Sequence, residues 1–147
     1  MSGLSRFLPP LDDGLLPLWL LFISLVSIFN SIQAYCTLTY TARVYCGRSN
    51  FSAIPAASIS PVTHLSARTF GTWTLIQSLV RFYAAYHITE RAFYQLAFWT
   101  FAVAFGHFVS EWLIFRTTRW GTGLAGPVLV STGTLVWMLL QWDYYIN

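Results

Sequence analysis

The 147-residue chain is expected to be all-α: a polytopic membrane protein folded as a four-transmembrane-helix bundle, with residues 1–147 forming a single membrane domain. Three observations carry that expectation. Apolar residues make up 56% of the chain and charged residues only 9%, against about 25% charged in an ordinary soluble domain. The charges leave four long stretches with few or none, Gly14 to Ala42, Thr69 to Thr89, Ala92 to Phe115 and Trp120 to Trp142, each able to cross a hydrocarbon layer that needs about 20 helical residues. Within each stretch the apolar residues run all the way round and do not alternate with polar ones. Since a bilayer admits only helices or a closed barrel, this leaves helices.

The first helix is expected near 16–38. The N-terminal segment 1–30 resembles a secretory leader, but Asp12 and Asp13 precede its long apolar part and no small-x-small cleavage site follows at once, so it reads as a retained first span. Ser24, Ser27, Ser31 and Ala34 form a small-residue stripe along it. The second helix, near 67–87, offers Gly71, Thr74, Ser78 and Arg81, and the third, near 93–115, offers Ala102, Gly106 and Ser110. Small-xxx-small stripes with hydrogen-bonding groups are how membrane helices associate. Each stripe is therefore a bundle seam or a partner-binding face. The fourth helix is expected near 125–142. The "GTGLAG" run at 121–126 has the letters of a dinucleotide-binding loop, but no strand precedes it and Pro127 follows. It reads as a tight turn, with Pro127 in the first turn of the last helix.

Arginine placement sets the expected orientation. The 39–66 connection carries Arg43 and Arg48, with Arg68 at its edge, and the 116–124 connection carries Arg116 and Arg119. On the other side Arg6 and Arg91 face Asp12, Asp13, Glu90 and Asp143. Loops 39–66 and 116–124 are therefore expected in the cytosol and both termini in the lumen. Trp19, Tyr83, Tyr86, Tyr94, Trp142, Tyr144 and Tyr145 would mark one interface, and Tyr40, Tyr45, Trp112 and Trp120 the other. The sequon Asn50-Phe51-Ser52 lies in a loop placed in the cytosol and is expected to stay unmodified.

Composition narrows the chemistry. All eight basic residues are arginine, which excludes Schiff-base lysines, a P-loop lysine and a tyrosine–lysine reductase pair. The net charge of +3 is scattered, so no clustered basic face for nucleic acid is expected. Cys36 and Cys46 lack CxxC spacing and read as free thiols. His64 and His87 stand at opposite ends of the second helix, too far apart to join His107 at one metal, so no metal or other cofactor is expected.

His107 and Glu111, four apart, share one helix face, and ionisable groups in a span are functional candidates by default. A Glu111–Arg68 pair, with His107 bonded to Glu111, would lock the second and third helices together. Arg81 would snorkel past Tyr83 and Tyr86 or meet a partner protein. Structural contacts, proton transfer and partner docking remain the alternative roles for this set.

Several stretches, "LLFISLVSIFNSIQ" (20–33), "THLSARTFGTWT" (63–74), "RFY" (81–83), "HFVSEWLIFRT" (107–117) and "GPVLVSTGTLVWM" (126–138), resemble the ergosterol biosynthetic protein twenty-eight family. The resemblance covers about Leu16 to Tyr145. It implies a non-catalytic scaffold of the endoplasmic reticulum membrane that tethers sterol-synthesis enzymes. The partners so implied are a sterol C4-methyl oxidase, a C3-sterol dehydrogenase (decarboxylating), a 3-keto-sterol reductase and other late sterol enzymes, together with membrane lipid and self-association. It supplies no catalytic residue. The matching polar positions Asn30, Gln33, His64, Arg68, Arg81, His107, Glu111 and Arg116 are candidates for bundle and docking contacts. The stretch 49–62 matches no motif of the family and reads as a flexible Ser-, Ala- and Pro-rich loop. A rival reading is a sterol- or lipid-binding protein with Trp73, Trp99 or Trp112 against the rings. A small membrane enzyme using His107 and Glu111 as acid and base is a second rival, and both rank below the scaffold.

Overall fold

In a computed structural model that describes residues 7–47 and 60–146, every regular element is helical. A 3-10 turn, Leu11–Asp13, leads into α1 (Leu16–Cys36), followed by the short α2 (Thr39–Val44), α3 (His64–Tyr86), α4 (Arg91–Leu113), α5 (Thr122–Leu140) and the short α6 (Trp142–Ile146). Local chemistry sets several of these boundaries. Pro17 sits in the first turn of α1, where its missing N–H breaks no helical bond. Thr63 and Ser66 cap α3 reciprocally: the Ser66 amide donates to Thr63 Oγ1 at 3.1 Å and the Thr63 amide to Ser66 Oγ at 2.8 Å, a serine-for-glutamate version of the capping box.

The four long helices run alternately up and down. They pack α1 on α3, α3 on α4 and α4 on α5, with α2 wedged between α1 and α5. The termini and the 87–90 turn lie at one end, called here the terminal end. Residues 37–47, 60–63 and 114–121 lie at the other, the loop end. Leu16, Leu20, Tyr94, Phe101 and Met138 fill the core toward the terminal end. A second cluster of Val44, Ala104, Phe108, Leu124 and Val128 fills it toward the loop end.

The expected spans are matched in part. Among the described residues α1, α4 and α5 are long and apolar enough to cross a membrane. The helix expected near 67–87 forms as α3, with 23 residues, but its Thr, Ser, Gln and Arg content keeps it below the hydropathy of the other three. The first two small-residue stripes interlock. Ser24 Oγ donates to the Ser78 carbonyl at 2.8 Å and Ser31 Oγ to the Gly71 carbonyl at 2.7 Å. The third stripe differs. Ala102 and Ser110 are half-buried, and a Cβ placed on Gly106 would meet nothing within 4 Å, so it is no internal seam.

The "GTGLAG" run is helix and not turn. α5 begins at Thr122, so Gly123 and Gly126 are helical and Pro127 lies inside the helix. Gly123 is there for contact: a Cβ on it would collide with the Arg43 carbonyl and the Val44 amide of α2. Backbone is meeting backbone at that point, which only glycine allows.

Candidate functional site

Two polar constructions are set into this apolar frame. The first lies at the loop end. The second turn from the end of α4 presents His107, whose Nε2 lies 2.6 Å from the Tyr45 hydroxyl just after α2. Trp73 of α3 and Phe108 pack on the imidazole with ring centroids 5.3 and 5.2 Å away. One turn on, Glu111 accepts a hydrogen bond from the Thr117 hydroxyl. The chain can fold back this way because Arg116 adopts φ 56°, which lets the Thr117 amide reach the Glu111 carbonyl at 3.0 Å and closes α4 with a left-handed C-terminal turn. Burial and the Glu111 charge push the Tyr45 phenol well above its usual range, so it keeps its proton. When that phenol donates, His107 must hold its own proton on Nδ1. Tyr45, Trp73, His107, Glu111 and Thr117 line a cavity of about 430 Å³ with Thr41, Pro61, Val62, Ser66, Thr69 and Phe70.

The second construction is at mid-depth. Arg81 is 6% exposed. Because helical side chains lean toward their own N-terminus, its guanidinium points back to the middle of the bundle. There Nε donates to Thr100 Oγ1 at 3.0 Å, Nη2 to Gln77 Oε1 at 3.0 Å and, at 3.4 Å, to the Thr100 carbonyl, and Nη1 to Ser27 Oγ at 3.4 Å. Its carbon sits 4.0 Å from the Phe101 ring centroid. Three helices thus meet on one cation.

These positions correct three expectations. Arg68 is exposed and unpaired with Glu111; among the described residues the one ion-pair geometry is His87–Glu90, 2.9 Å, at the terminal end. Thr117 takes the place of Arg68 because the turn at Arg116 delivers it to the carboxylate first. His107 bonds Tyr45 and not Glu111. Arg81 does not snorkel: Ser27, Gln77 and Thr100 offer neutral acceptors inside, closer than the headgroup layer.

Of the remaining candidates, Gln33, His64 and Arg116 are exposed at the loop end, and Asn30 is half-buried beside Tyr40. The structure therefore places Gln33, His64, Arg68 and Arg116 on one surface and separates them from Arg81. Arg43 and Arg119 share that surface, and the Nε of Arg119 donates to the Gly47 carbonyl at 3.0 Å. Against these arginines the loop end sets one carboxylate, Glu111, already occupied by Thr117. Asp12, Asp13, Glu90 and Asp143 all lie at the terminal end.

Sequence reasoning missed Tyr45 as the partner of His107 and Thr117 as the partner of Glu111. Tyr45 is 62 residues from His107, beyond any local spacing rule. Thr117 follows Glu111 by six, a spacing that meets only when the helix ends in a left-handed turn. The aromatic belt was legible only in part. Tyr94 and Tyr145 are buried, with hydroxyls on the carbonyls of Met138 at 2.6 Å and Asp13 at 2.5 Å. Both cysteines are free thiols. The sequon at 50–52 and most of the 49–62 stretch lie outside the described residues.

Comparison with known proteins agrees with this architecture in extent. The family described as "Erg28 like protein" matches residues 16–136. Ergosterol biosynthetic protein 28 of Candida albicans is 54% identical, covering 97% of this chain and 96% of its own. The Saccharomyces cerevisiae protein of the same name is 48% identical over 94% of this chain and 87% of its own. The homolog from Homo sapiens is 32% identical over 96% of this chain and 91% of its own. No solved structure matches the chain.

Proposed function

The chain belongs to the Erg28 family, a family of sterol biosynthesis, and on that premise we propose that it is a non-catalytic scaffold of the endoplasmic reticulum membrane. In this reading it holds a sterol C4-methyl oxidase, a C3-sterol dehydrogenase (decarboxylating) and a 3-keto-sterol reductase side by side, and other late sterol enzymes near them. A hydrophobic intermediate then passes between neighbours at high local concentration instead of searching the whole membrane. α3 serves as the fourth crossing. Its place between α1 and α4 supports this, because packing on both sides shelters its polar residues from lipid.

The observation that carries the reading is the one-sided arginine surface. Arg43, Arg68, Arg116 and Arg119 stand exposed at one end of an apolar bundle, with no free carboxylate among the described residues there to neutralise them. A surface of this kind faces the cytosol by the positive-inside rule and suits acidic patches on cytosolic catalytic domains. The open third stripe supplies a second contact. Trp99, Val103 and Gly106 share one face of α4, and Trp99 and Val103 are 62% and 51% exposed. That face suits a partner's membrane anchor or a second copy of the chain.

Affinity purification of the tagged protein from native membranes in mild detergent tests the proposal. The sterol C4-demethylation enzymes should co-purify selectively against an unrelated four-span control. Joint reversal of Arg43, Arg68 and Arg116 to Glu should lower their recovery severalfold, while Arg91→Glu at the terminal end should not. Recovery of the protein alone, or equal recovery with both variants, removes the docking role.

A further inference from the structure

α1 and α5 touch near the terminal end, where the Trp19 indole donates to Thr134 Oγ1 at 2.9 Å and packs on Trp137. Toward the loop end they part, and α2 fills only the outermost gap. Between them lies a cleft of about 400 Å³. Its floor is α3 and α4, and its side walls are α1 and α5. Exposed Val26 and Gly126 mark where it opens sideways toward lipid. Its lining on α5 runs from Thr122 to Ser131, nine helical rises that give it a depth of about 13 Å at 1.5 Å per residue.

Arg81 forms the inner end of this cleft. It is more than nine-tenths buried, and among the described residues no carboxylate lies within ion-pair distance. All its partners are neutral, and the two Nη contacts to Ser27 and Thr100 are long at 3.4 Å. A guanidinium has five N–H donors in a planar fork that matches a carboxylate bidentately. Here four contacts are made and Nη1 retains a free hydrogen. A buried cation ordinarily has a counter-charge. The protein supplies none at this point and leaves a lipid-accessible cleft leading to it.

We propose that the cleft binds one carboxylate-bearing lipid, with its head group on Arg81 and its apolar body along Phe101, Phe108 and Val130. A two-chain phospholipid is too large for this volume, and its phosphate would have to leave the headgroup layer to reach mid-depth. A single-bodied lipid acid, whether a fatty acid or a sterol acid, satisfies both the volume and the fork. The cleft meets the arginine surface at Arg43, which lines its outer end, but the head group's fork is on Arg81 at mid-depth, so the site can exist whether or not the protein tethers enzymes.

Photocrosslinking of the purified full chain in detergent micelles tests this, with a diazirine fatty acid and a diazirine sterol acid, each beside its uncharged alcohol. The acid probes should label residues of the cleft saturably, about tenfold more than the alcohols, and the stronger of the two identifies the source. Arg81→Met should abolish that preference, and Arg81→Lys should restore part of it. If Arg81→Met does not fold, Gly126→Phe decides the matter. Its Cβ has no neighbour within 4 Å, so the ring can enter the cleft mouth with Arg81 intact and should cut labelling at least fivefold. Equal labelling by acids and alcohols, unchanged labelling in a folded Gly126→Phe protein, or no cleft labelling at all overturns the proposal; the last result means the cleft holds water only. Partner recovery from membranes is scored separately, so loss of the lipid site and loss of tethering are distinguishable.

Discussion

The Ser31 hydroxyl donates to the Gly71 carbonyl at 2.7 Å, and seven residues earlier in α1 the Ser24 hydroxyl repeats the contact on Ser78, seven residues later in α3, at 2.8 Å. Two side chains two helical turns apart thus bind the backbone of an antiparallel neighbour, which is possible only where the helix axes approach closely.

Gly71 is the tightest point of that seam. A Cβ there would lie 2.8 Å from the Tyr35 ring and 3.1 Å from the Ser31 carbonyl. Gly71→Ala should lower the melting temperature of the detergent-solubilised protein despite the better helix propensity of alanine. Gly71→Leu should separate the helices and cost about 2–3 kcal/mol. Ser31→Ala, which leaves one carbonyl with its helical bond, should cost only about 1 kcal/mol. A Gly71→Leu protein that melts like the parent would show that the helices are not in close contact.

Removing the Tyr45 hydroxyl tests the loop-end cluster. Tyr45→Phe leaves the ring against Phe70, 5.6 Å between centroids, and deletes only the bond to His107. The expected loss is about 1–2 kcal/mol, and His107→Phe on top of it should add little, because the two residues act as a pair. Thermal unfolding of both single variants and the double variant checks this; fully additive losses would mean the pair is not coupled.

The parts of this fold legible in the sequence were those set by local periodicity. Apolar length located α1, α4 and α5, and small residues at helical spacing marked the faces of α1 and α3 that meet, though not which helix each would meet. What remained hidden depended on chain reversals. Glu111 could be assigned to Arg68 from depth alone, yet the left-handed turn at Arg116 gives it Thr117. Arg81 looked free to reach the headgroups, yet besides Gln77, four residues back on its own helix, its acceptors Ser27 and Thr100 come from two other helices, and no local spacing announces that convergence. The Gly121–Gly126 run failed as a turn for a similar reason: Gly123 answers to α2, which the sequence shows only as the start of a long connection.

Arg116 carries strain that a single substitution should relieve. Its φ of 56° lies where a Cβ costs about 1–2 kcal/mol. Arg116→Gly should therefore stabilise the purified protein by about 1 kcal/mol, offset in part by the greater freedom of glycine in the unfolded chain. The same change removes one exposed cation from the proposed docking surface. Melting temperature should rise while partner recovery falls. A fall in both would mean the side chain, and not the backbone, stabilises the turn.

At the opposite end Tyr145 ties the chain's beginning to its end. Its hydroxyl donates to the Asp13 carbonyl at 2.5 Å, next to Gly14 at φ 87°. Burial, with the nearby Tyr144 and Asp13, pushes the phenol up to about 12, from about 10 in an unfolded chain. The folded state therefore holds this proton more tightly. The stability it contributes is fully present below about pH 10 and is lost as pH rises toward 12. Tyr145→Phe should cost about 1 kcal/mol at neutral pH and make the alkaline decline between pH 10 and 12 shallower, since this phenol no longer ionises there; the raised phenol of Tyr45 remains. Melting curves of parent and variant across that range decide it. An alkaline decline of the same steepness in Tyr145→Phe would place its origin in another group.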